Sequence, residues 1–109
     1  MATTYKVLGQ SNPSATTITD LYTVPASTQT VVSTITVVNQ GAESTTYRVA
    51  VVPSGDTVSA ENYIVFDESI LPNQTTGFTM GLTLGAGDKI RVYAGTATMS
   101  FNAFGSEIA

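Results

Sequence analysis

Residues 21–40 constrain the fold of this chain more than any other segment. They read LYTVPASTQTVVSTITVVNQ, a run rich in Val, Ile, Thr and Tyr that is interrupted by Pro25. Branched and aromatic side chains fit the pleated, half-buried surface of a sheet. Proline cannot donate to a strand ladder, and it forces the preceding residue into an extended conformation. The segment therefore predicts two β-strands joined at a corner, and only Asp20 at its edge could act as an acid or base.

The rest of the chain repeats this strand character. Several windows alternate apolar and polar residues with a period of two, whereas a clean helical stripe is missing from every window of eleven or more residues. The pattern predicts strands at residues 5–9, 17–24, 30–39, 45–52, 62–67, 89–94 and 98–104. A further strand is predicted to present Phe78, Met80, Leu82 and Leu84 on its inward face. Residues 58–61 could hold one helical turn, and residues 85–88 (GAGD) are predicted to form a tight hairpin turn.

Short strands at roughly 8–12-residue spacing, punctuated by Gly and Pro, are typical of all-β folds. We therefore predict a single-domain β-sandwich over residues 1–109, with about eight mainly antiparallel strands. The periodicity predicts where strands lie but not their order in the sheets, so immunoglobulin-like and jelly-roll connections both stay open. The alternation of apolar and polar residues is weak in the terminal segments 1–6 and 105–109. They are predicted as possible arms that reach neighbouring subunits.

Charge is scarce in this chain, and Thr and Ser take its place. Charged residues make up 11% of the sequence, against roughly 25% in an average globular domain. The net charge is −4 with only four basic residues, too few for the basic footprint of a nucleic-acid binder. The N-terminus lacks the apolar core of a signal peptide, and no run is long enough for a membrane span. We expect synthesis in the cytosol and neither a nucleic-acid nor a membrane partner.

Catalytic chemistry has few candidate residues. The chain has no His, no Cys and no Gly-x-Ser-x-Gly elbow. Asp67 and Glu68 are adjacent in sequence, but neighbours on a strand point to opposite faces, and a solvated loop is the preferred interpretation for this pair. We predict no catalytic residues, no cofactor and no enzymatic activity.

A metal site is also not expected, because transition metals prefer His and Cys ligands. Calcium accepts oxygen ligands alone, so Asp56, Glu61, Asp67 and Glu68 stay open as donors, although no loop has the acidic density of a dedicated site. The triplet Asn73-Gln74-Thr75 matches the acceptor pattern for N-glycosylation and is interpreted as a turn. Gly85-Ala86-Gly87 lacks the following helix that a phosphate site would need.

The aromatic residues allow two interpretations. At alternating strand positions they more often fill a core, with tyrosyl hydroxyls reaching the surface. The alternative is a sugar-binding groove, although such grooves favour Trp, which this chain lacks. The residues concerned are Tyr5, Tyr22, Tyr47, Tyr63, Tyr93, Phe66, Phe78, Phe101 and Phe104.

The scaffold pattern as a whole resembles a group of small β-sandwich virion structural proteins of marine and cyanobacterial bacteriophages. Three runs carry the first half of the resemblance: LYTVPA at residues 21–26, VVSTITVVNQG at 31–41 and TYRVAV at 46–51. The second half is carried by NYI at 62–64, GLTLGAGDKIRVYA at 81–94 and SFNAFG at 100–105. The similarity spans residues 5–108 and consists of scaffold residues, so no active site is carried over.

The resemblance implies a structural subunit on the virion. We expect a capsid decoration (cement) protein that binds the outer head surface, contacts the major capsid protein or other virion proteins, and forms a homo-oligomer, for which a trimer is one option. A tail, baseplate or fibre-associated subunit is the first alternative. A carbohydrate-binding module for host attachment, acting through Tyr22, Tyr47, Tyr63 or Tyr93, is the second.

Overall fold

The computed structural model describes residues 2–109 and consists of two antiparallel β-sheets. The strands are β1 (Thr3–Ser11), β2 (Thr19–Thr23), β3 (Gln29–Asn39), β4 (Thr45–Val52), β5 (Tyr63–Ile70), β6 (Thr75–Phe78), β7 (Leu82–Leu84), β8 (Lys89–Ala94) and β9 (Met99–Ile108). A 3₁₀ turn at Ala60–Asn62 lies close to the predicted helical turn, and the side chain of Asn62 caps the backbone N–H of Ser59. Within residues 2–109, no helix is long and apolar enough to cross a membrane. The predicted all-β sandwich is confirmed.

The strand order identifies the jelly-roll connection. Sheet A has the order β1-β9-β3, with β6 and β7 both pairing along the far side of β3, and sheet B has the order β2-β8-β4-β5. The chain crosses between the sheets at nearly every connection, and only β4–β5 and β6–β7 stay within one sheet. An immunoglobulin-like sandwich keeps several sequential strands paired in one sheet, whereas this alternation is that of two interleaved Greek keys.

The core lies between the sheets and is built from the alternate positions of their central strands. Every second residue of β8 is fully buried, as the period of a strand with one covered face requires. The Tyr47 ring packs against Phe78 and Phe101 with centroid distances of 6.3 and 6.2 Å, a spacing typical of favourable aromatic pairs. The fully buried side chains of largest volume are Tyr47, Phe101, Ile35, Ile70, Ile90, Met99, Val24, Val32, Val37, Val49, Val52 and Val92.

The predicted sixth strand is wrong in one respect, because it forms two short strands. Gly81 has a φ of +64° and follows the end of β6, so the alternation does not run on from Phe78 to Leu84. Met80, predicted on the inward face, is 45% exposed, while Leu84 is buried as expected. The interruption explains the error, since alternation predicts a face only while the backbone stays extended.

The turn at residues 85–88 has the expected local chemistry but does not form a hairpin. Gly87 has a φ of +82°, and the Asp88 side chain accepts a hydrogen bond from the Gly85 N–H at 2.8 Å. The strands that it joins belong to different sheets, because β7 pairs with β3 and β8 pairs with β2 and β4. Local sequence specified the turn, and tertiary packing decided which strands lie beside it.

The terminal segments pair with each other along β1 and β9. Ala2 and Ala109 exchange both backbone hydrogen bonds, at 2.8 and 2.9 Å, and the register continues from Thr3 opposite Ile108. Residues 2–6 and 105–109 were predicted as possible arms, and Met1 lies outside the described residues. Residues 2–7 are exposed, so contact with a neighbouring copy stays a prediction.

A hydrogen-bonded cluster fastens this end of sheet A to sheet B. The Tyr22 hydroxyl lies 2.6 Å from Glu107 Oε2 and 2.7 Å from Thr30 Oγ1, and Lys6 Nζ lies 3.3 Å from Glu107 Oε1. Burial, with the adjacent carboxylate of Glu107, raises the pKa of Tyr22 to about 12. The hydrogen bond from Tyr22, with the nearby Lys6 ammonium, lowers the pKa of Glu107. Side chains of β1, β2, β3 and β9 therefore share one network.

Two tyrosines provide a matched test of this network. The Tyr22 hydroxyl has two close partners, whereas the buried Tyr47 hydroxyl makes no hydrogen bond of normal distance and angle within residues 2–109 and has only Thr76 near it as a weak partner. Tyr22→Phe should lower the free energy of unfolding by about 1–3 kcal/mol, because it removes a bond to a charged acceptor. Tyr47→Phe should change it by less than about 0.5 kcal/mol or stabilise the fold. Urea unfolding of both variants measures this, and equal losses would contradict the assignment.

The stability of the protein should fall in acid partly through Glu107. Its pKa is lowered in the folded state relative to its ordinary value of 4.5. The unfolded chain therefore binds the proton more readily, and the stabilisation present above pH 4.5 is lost as the pH falls through the folded pKa. In Glu107→Gln, the free energy of unfolding should depend less steeply on pH below 4.5. Glu43→Gln, at an exposed residue in the loop between β3 and β4, serves as the control and should keep the slope of the unmodified protein.

Candidate functional site

The carboxylates considered for calcium do not converge. Glu61 accepts a hydrogen bond from Ser59 Oγ at 2.7 Å, which lowers the pKa of Glu61. Asp67 pairs with Arg48 through two hydrogen bonds, with Nε–Oδ1 2.6 Å and Nη2–Oδ2 3.3 Å. Within residues 2–109, no group of three or more His, Cys, Asp or Glu side chains is placed to hold a metal ion. The structure thus brings together a carboxylate and a guanidinium instead of several carboxylates.

The expectation that Asp67 and Glu68 lie in a solvated loop is wrong, because both belong to β5. Asp67 has a φ of +51°, and the register of β5 against β4 shifts on either side of Val49. A left-handed residue interrupts the alternation of a strand and re-aims its side chains, which is the behaviour of a β-bulge. As a result, the consecutive residues Phe66 and Asp67 both contact Arg48.

We call Arg48, Tyr63, Phe66, Asp67 and Tyr93 the arginine cluster; it lies on the outer face of sheet B. The Arg48 guanidinium carbon is 4.2 Å from the Phe66 ring centroid, 4.5 Å from that of Tyr93 and 5.9 Å from that of Tyr63. Tyr63 and Phe66 meet edge to face with centroids 5.0 Å apart. Phe66 stays 57% exposed. The cluster therefore presents an aromatic surface beside a donor and an acceptor whose charges cancel.

The four tyrosines named for sugar binding divide into two pairs. Tyr22 and Tyr47 are buried, so the core interpretation is correct for them and they are not available to a ligand. Tyr63 and Tyr93 are half-buried members of the arginine cluster. For Phe66 the core interpretation is wrong, as it is for Tyr5. Phe66 follows the buried Val65, so the alternation of β5 already turns its ring outward, and the bulge at Asp67 brings the carboxylate to the same face.

The outer face of sheet A has a different character. Its register places Val7 opposite Phe104, Thr3 opposite Ile108, and Ser106 between Tyr5 and Val31. These residues alternate with inward-facing ones, and among them Tyr5 is 84% and Val7 49% exposed. Thr34, Thr36, Val38, Ser100 and Asn102 continue the same face along β3 and β9.

We call these outward-facing residues of β1, β3 and β9 the neutral face. The described strands place no charged side chain on it. The charged residues of the sheet A strands are Lys6 and Glu107. Both lie on the opposite side, as the contact between Glu107 and Tyr22 of sheet B shows. Hydroxyl and amide groups are much less costly to remove from water than ions. A partner could therefore cover this face at little desolvation cost.

Two adjoining open grooves lie at one end of the sandwich, with volumes of about 500 and 310 Å³. They share Gln29, Gly85 and Ile108 in their walls. The remaining lining residues are Ser27, Thr28, Ala86, Ala109, Thr30, Val31, Thr83 and Leu84. None of these side chains ionises, so the groove side chains offer shape and hydrogen bonds but no acid or base.

Apart from the two grooves, the described surface offers two regions for binding, the neutral face of sheet A and the arginine cluster of sheet B. The first suits a broad, dry protein contact, and the second suits a small ligand that stacks on a ring. Comparisons of the chain with protein-family models, with curated proteins and with solved structures found no match.

Proposed function

We propose that this chain is a structural subunit of a bacteriophage virion, a decoration protein that binds the outer surface of the capsid through the neutral face. The resemblance of residues 5–108 to small virion proteins supports the class of protein. The single observation that supports the mode of action is the absence of charge from the sheet A strands on that face. A tail or baseplate location is the alternative within the same class.

A decoration protein that stabilises a capsid needs a broad contact surface and no reactive groups. A specific protein contact typically buries roughly 800 Å² on each partner, and exposed aromatic and aliphatic side chains supply most of its free energy. Tyr5 and Val7 provide such groups at one margin of the neutral face, and half-buried Phe104 lies opposite Val7. A protein bound across two neighbouring capsid subunits would stabilise the assembled shell by mass action, because it binds that state alone.

A charge placed within the neutral face should weaken capsid binding. Thr36 lies between Asn102 and Gly77, and a side chain at Gly77 would meet only open space, so Thr36→Lys has room. The matched control is Thr46→Lys, which adds the same charge at a half-buried threonine on sheet B. Co-sedimentation with heads lacking the protein should show at least about tenfold weaker binding for Thr36→Lys only, since an unpaired charge is buried.

Localisation separates the two members of the virion class. Antibody labelling of intact particles should mark the head surface if the protein decorates the capsid. Label confined to the tail would favour the tail or baseplate alternative, and equal head binding by the Thr36→Lys and Thr46→Lys variants would contradict the neutral face as the contact.

A carbohydrate-binding function is the second candidate, and the arginine cluster favours it. The exposed Phe66 ring could stack on the apolar face of a sugar, while Arg48 and Asp67 offer a donor and an acceptor to its hydroxyls. Because the two charges cancel, a neutral saccharide is the matching ligand class.

The saccharide hypothesis predicts localised binding that depends on Phe66. In an NMR titration with maltohexaose, cellohexaose, chitohexaose and mannohexaose, at least one should shift the amide signals of Arg48, Phe66 and Tyr93. Phe66→Ala should weaken that binding about tenfold or more, a typical effect for a lost stacking ring. Tyr5→Ala removes an even more exposed ring from the other sheet and should leave the binding unchanged. Absence of shifts with all four sugars would count against the saccharide hypothesis and leave the virion proposal unchanged.

A further inference from the structure

The edge strands of the two sheets differ in how they are protected, and β1 is the least protected of them. Edge strands expose unpaired N–H and C=O groups, and natural proteins blunt them with charges, bulges, prolines or short lengths. Among the described strands, β5 has a bulge with Asp67 and Glu68, β2 has five residues and a register shift, and β6 and β7 are separated near Gly81. β1 has nine residues, and its register shifts only after Val7.

The hydrogen-bonding pattern shows which backbone groups of β1 are open. Ala2 and Ala109 exchange both of their backbone bonds, so they form a hydrogen-bonded pair. Such pairs alternate along an antiparallel ladder, which places Thr4 and Lys6 in the same class as Ala2. The N–H and C=O groups of Thr3, Tyr5 and Val7 therefore point away from β9 and toward the open edge.

The side chains of this edge do not protect it. Residues 3–7 are all exposed, with Tyr5 84% and Val7 49% accessible. The one charged side chain among them is Lys6, whose ammonium group lies 3.3 Å from Glu107 of its own chain. A long, regular and partly apolar edge of this kind is a template for another extended strand.

We infer that a second copy of this chain binds here, with the two β1 strands antiparallel about a two-fold axis at Tyr5. In this register Tyr5 lies opposite the partner's Tyr5, Thr3 lies opposite the partner's Val7, and all three open residues are hydrogen-bonded. An axis at Lys6 would place like charges opposite each other, and an axis at Thr4 would place Val7 opposite residue 1 of the partner, beyond the described strand β1. The edge is thus self-complementary in one register, and a two-fold interface requires self-complementarity.

The pairing extends the neutral face across the axis. Thr3, Tyr5 and Val7 share that face with Phe104 and Ile108, so the two sheets A become one continuous sheet with uncharged side chains along its outer side. The inference rests on the backbone and side chains of β1 and does not depend on the capsid assignment.

Cysteine cross-linking tests the register directly, because the chain has no cysteine of its own. A hydrogen-bonded antiparallel pair has Cα atoms about 5.5 Å apart, within the range that a disulfide spans. Under mild oxidation, Tyr5→Cys should form a covalent dimer. A mixture of Thr3→Cys and Val7→Cys chains should form a cross-linked heterodimer, while either chain alone should not. Thr23→Cys, at an exposed position on sheet B, should form no covalent dimer.

A proline substitution tests the open N–H group independently. Tyr5→Pro removes a donor that β9 does not use, and Tyr5→Ala removes the same ring while keeping the donor. Sedimentation velocity should show a dimer for the unmodified protein and at least about tenfold weaker dimerisation for Tyr5→Pro than for Tyr5→Ala. Circular dichroism checks that both variants are folded.

Several outcomes would overturn the inference. A monomer at concentrations up to about 1 mM, a trimer, or cross-linking of Thr23→Cys as efficient as that of Tyr5→Cys would each exclude the two-fold β1 pair. A monomer whose head binding is lost in Tyr5→Pro but kept in Tyr5→Ala would assign the edge to a strand of the shell instead. Failure of head binding by a protein that still dimerises would contradict the capsid proposal and leave this inference intact.

Discussion

Sheet A depends on the position of β9 between β1 and β3. This strand pairs with both neighbours, from Thr3 opposite Ile108 on one side to Asn39 opposite Met99 on the other. Its inward residues Met99, Phe101 and Ala103 are fully buried, so it also supplies the centre of the core. The contacts that complete the sheet therefore join residues 60 to 105 positions apart, and folds dominated by such pairings form slowly.

Close backbone approach is a second requirement of this arrangement. A Cβ atom at Gly105 would clash with the Val31 carbonyl oxygen in the neighbouring strand, and one at Gly9 would clash with the Leu21 carbonyl oxygen of the other sheet. Both glycines lie where the register of their sheet shifts. The absence of a side chain is what lets the strands twist past each other at these points.

Local patterns in the sequence predicted much of the fold and little of the surface. The bounds of β4 and β8 agree with the predicted residues 45–52 and 89–94, because strict alternation and flanking turn residues define them. The strands β1 and β9 extend further than predicted, since their ends are held by mutual backbone bonds that leave no mark in side-chain pattern. The turn at residues 85–88 was recognised, but its partner strands are set by packing over long sequence distances. The arginine cluster depends on the left-handed backbone conformation of Asp67, and the periodicity of the sequence does not predict that conformation.

The adjacency of Ala2 and Ala109 has a mechanical consequence. Because these residues exchange hydrogen bonds at one end of the β1–β9 ladder, tension applied to both ends of the described chain would open that ladder one pair after another. A lateral force on the outer side of sheet A would instead be shared by many contacts at once. The β1–β9 ladder should thus resist a force applied across the face of sheet A better than a force applied through the two ends.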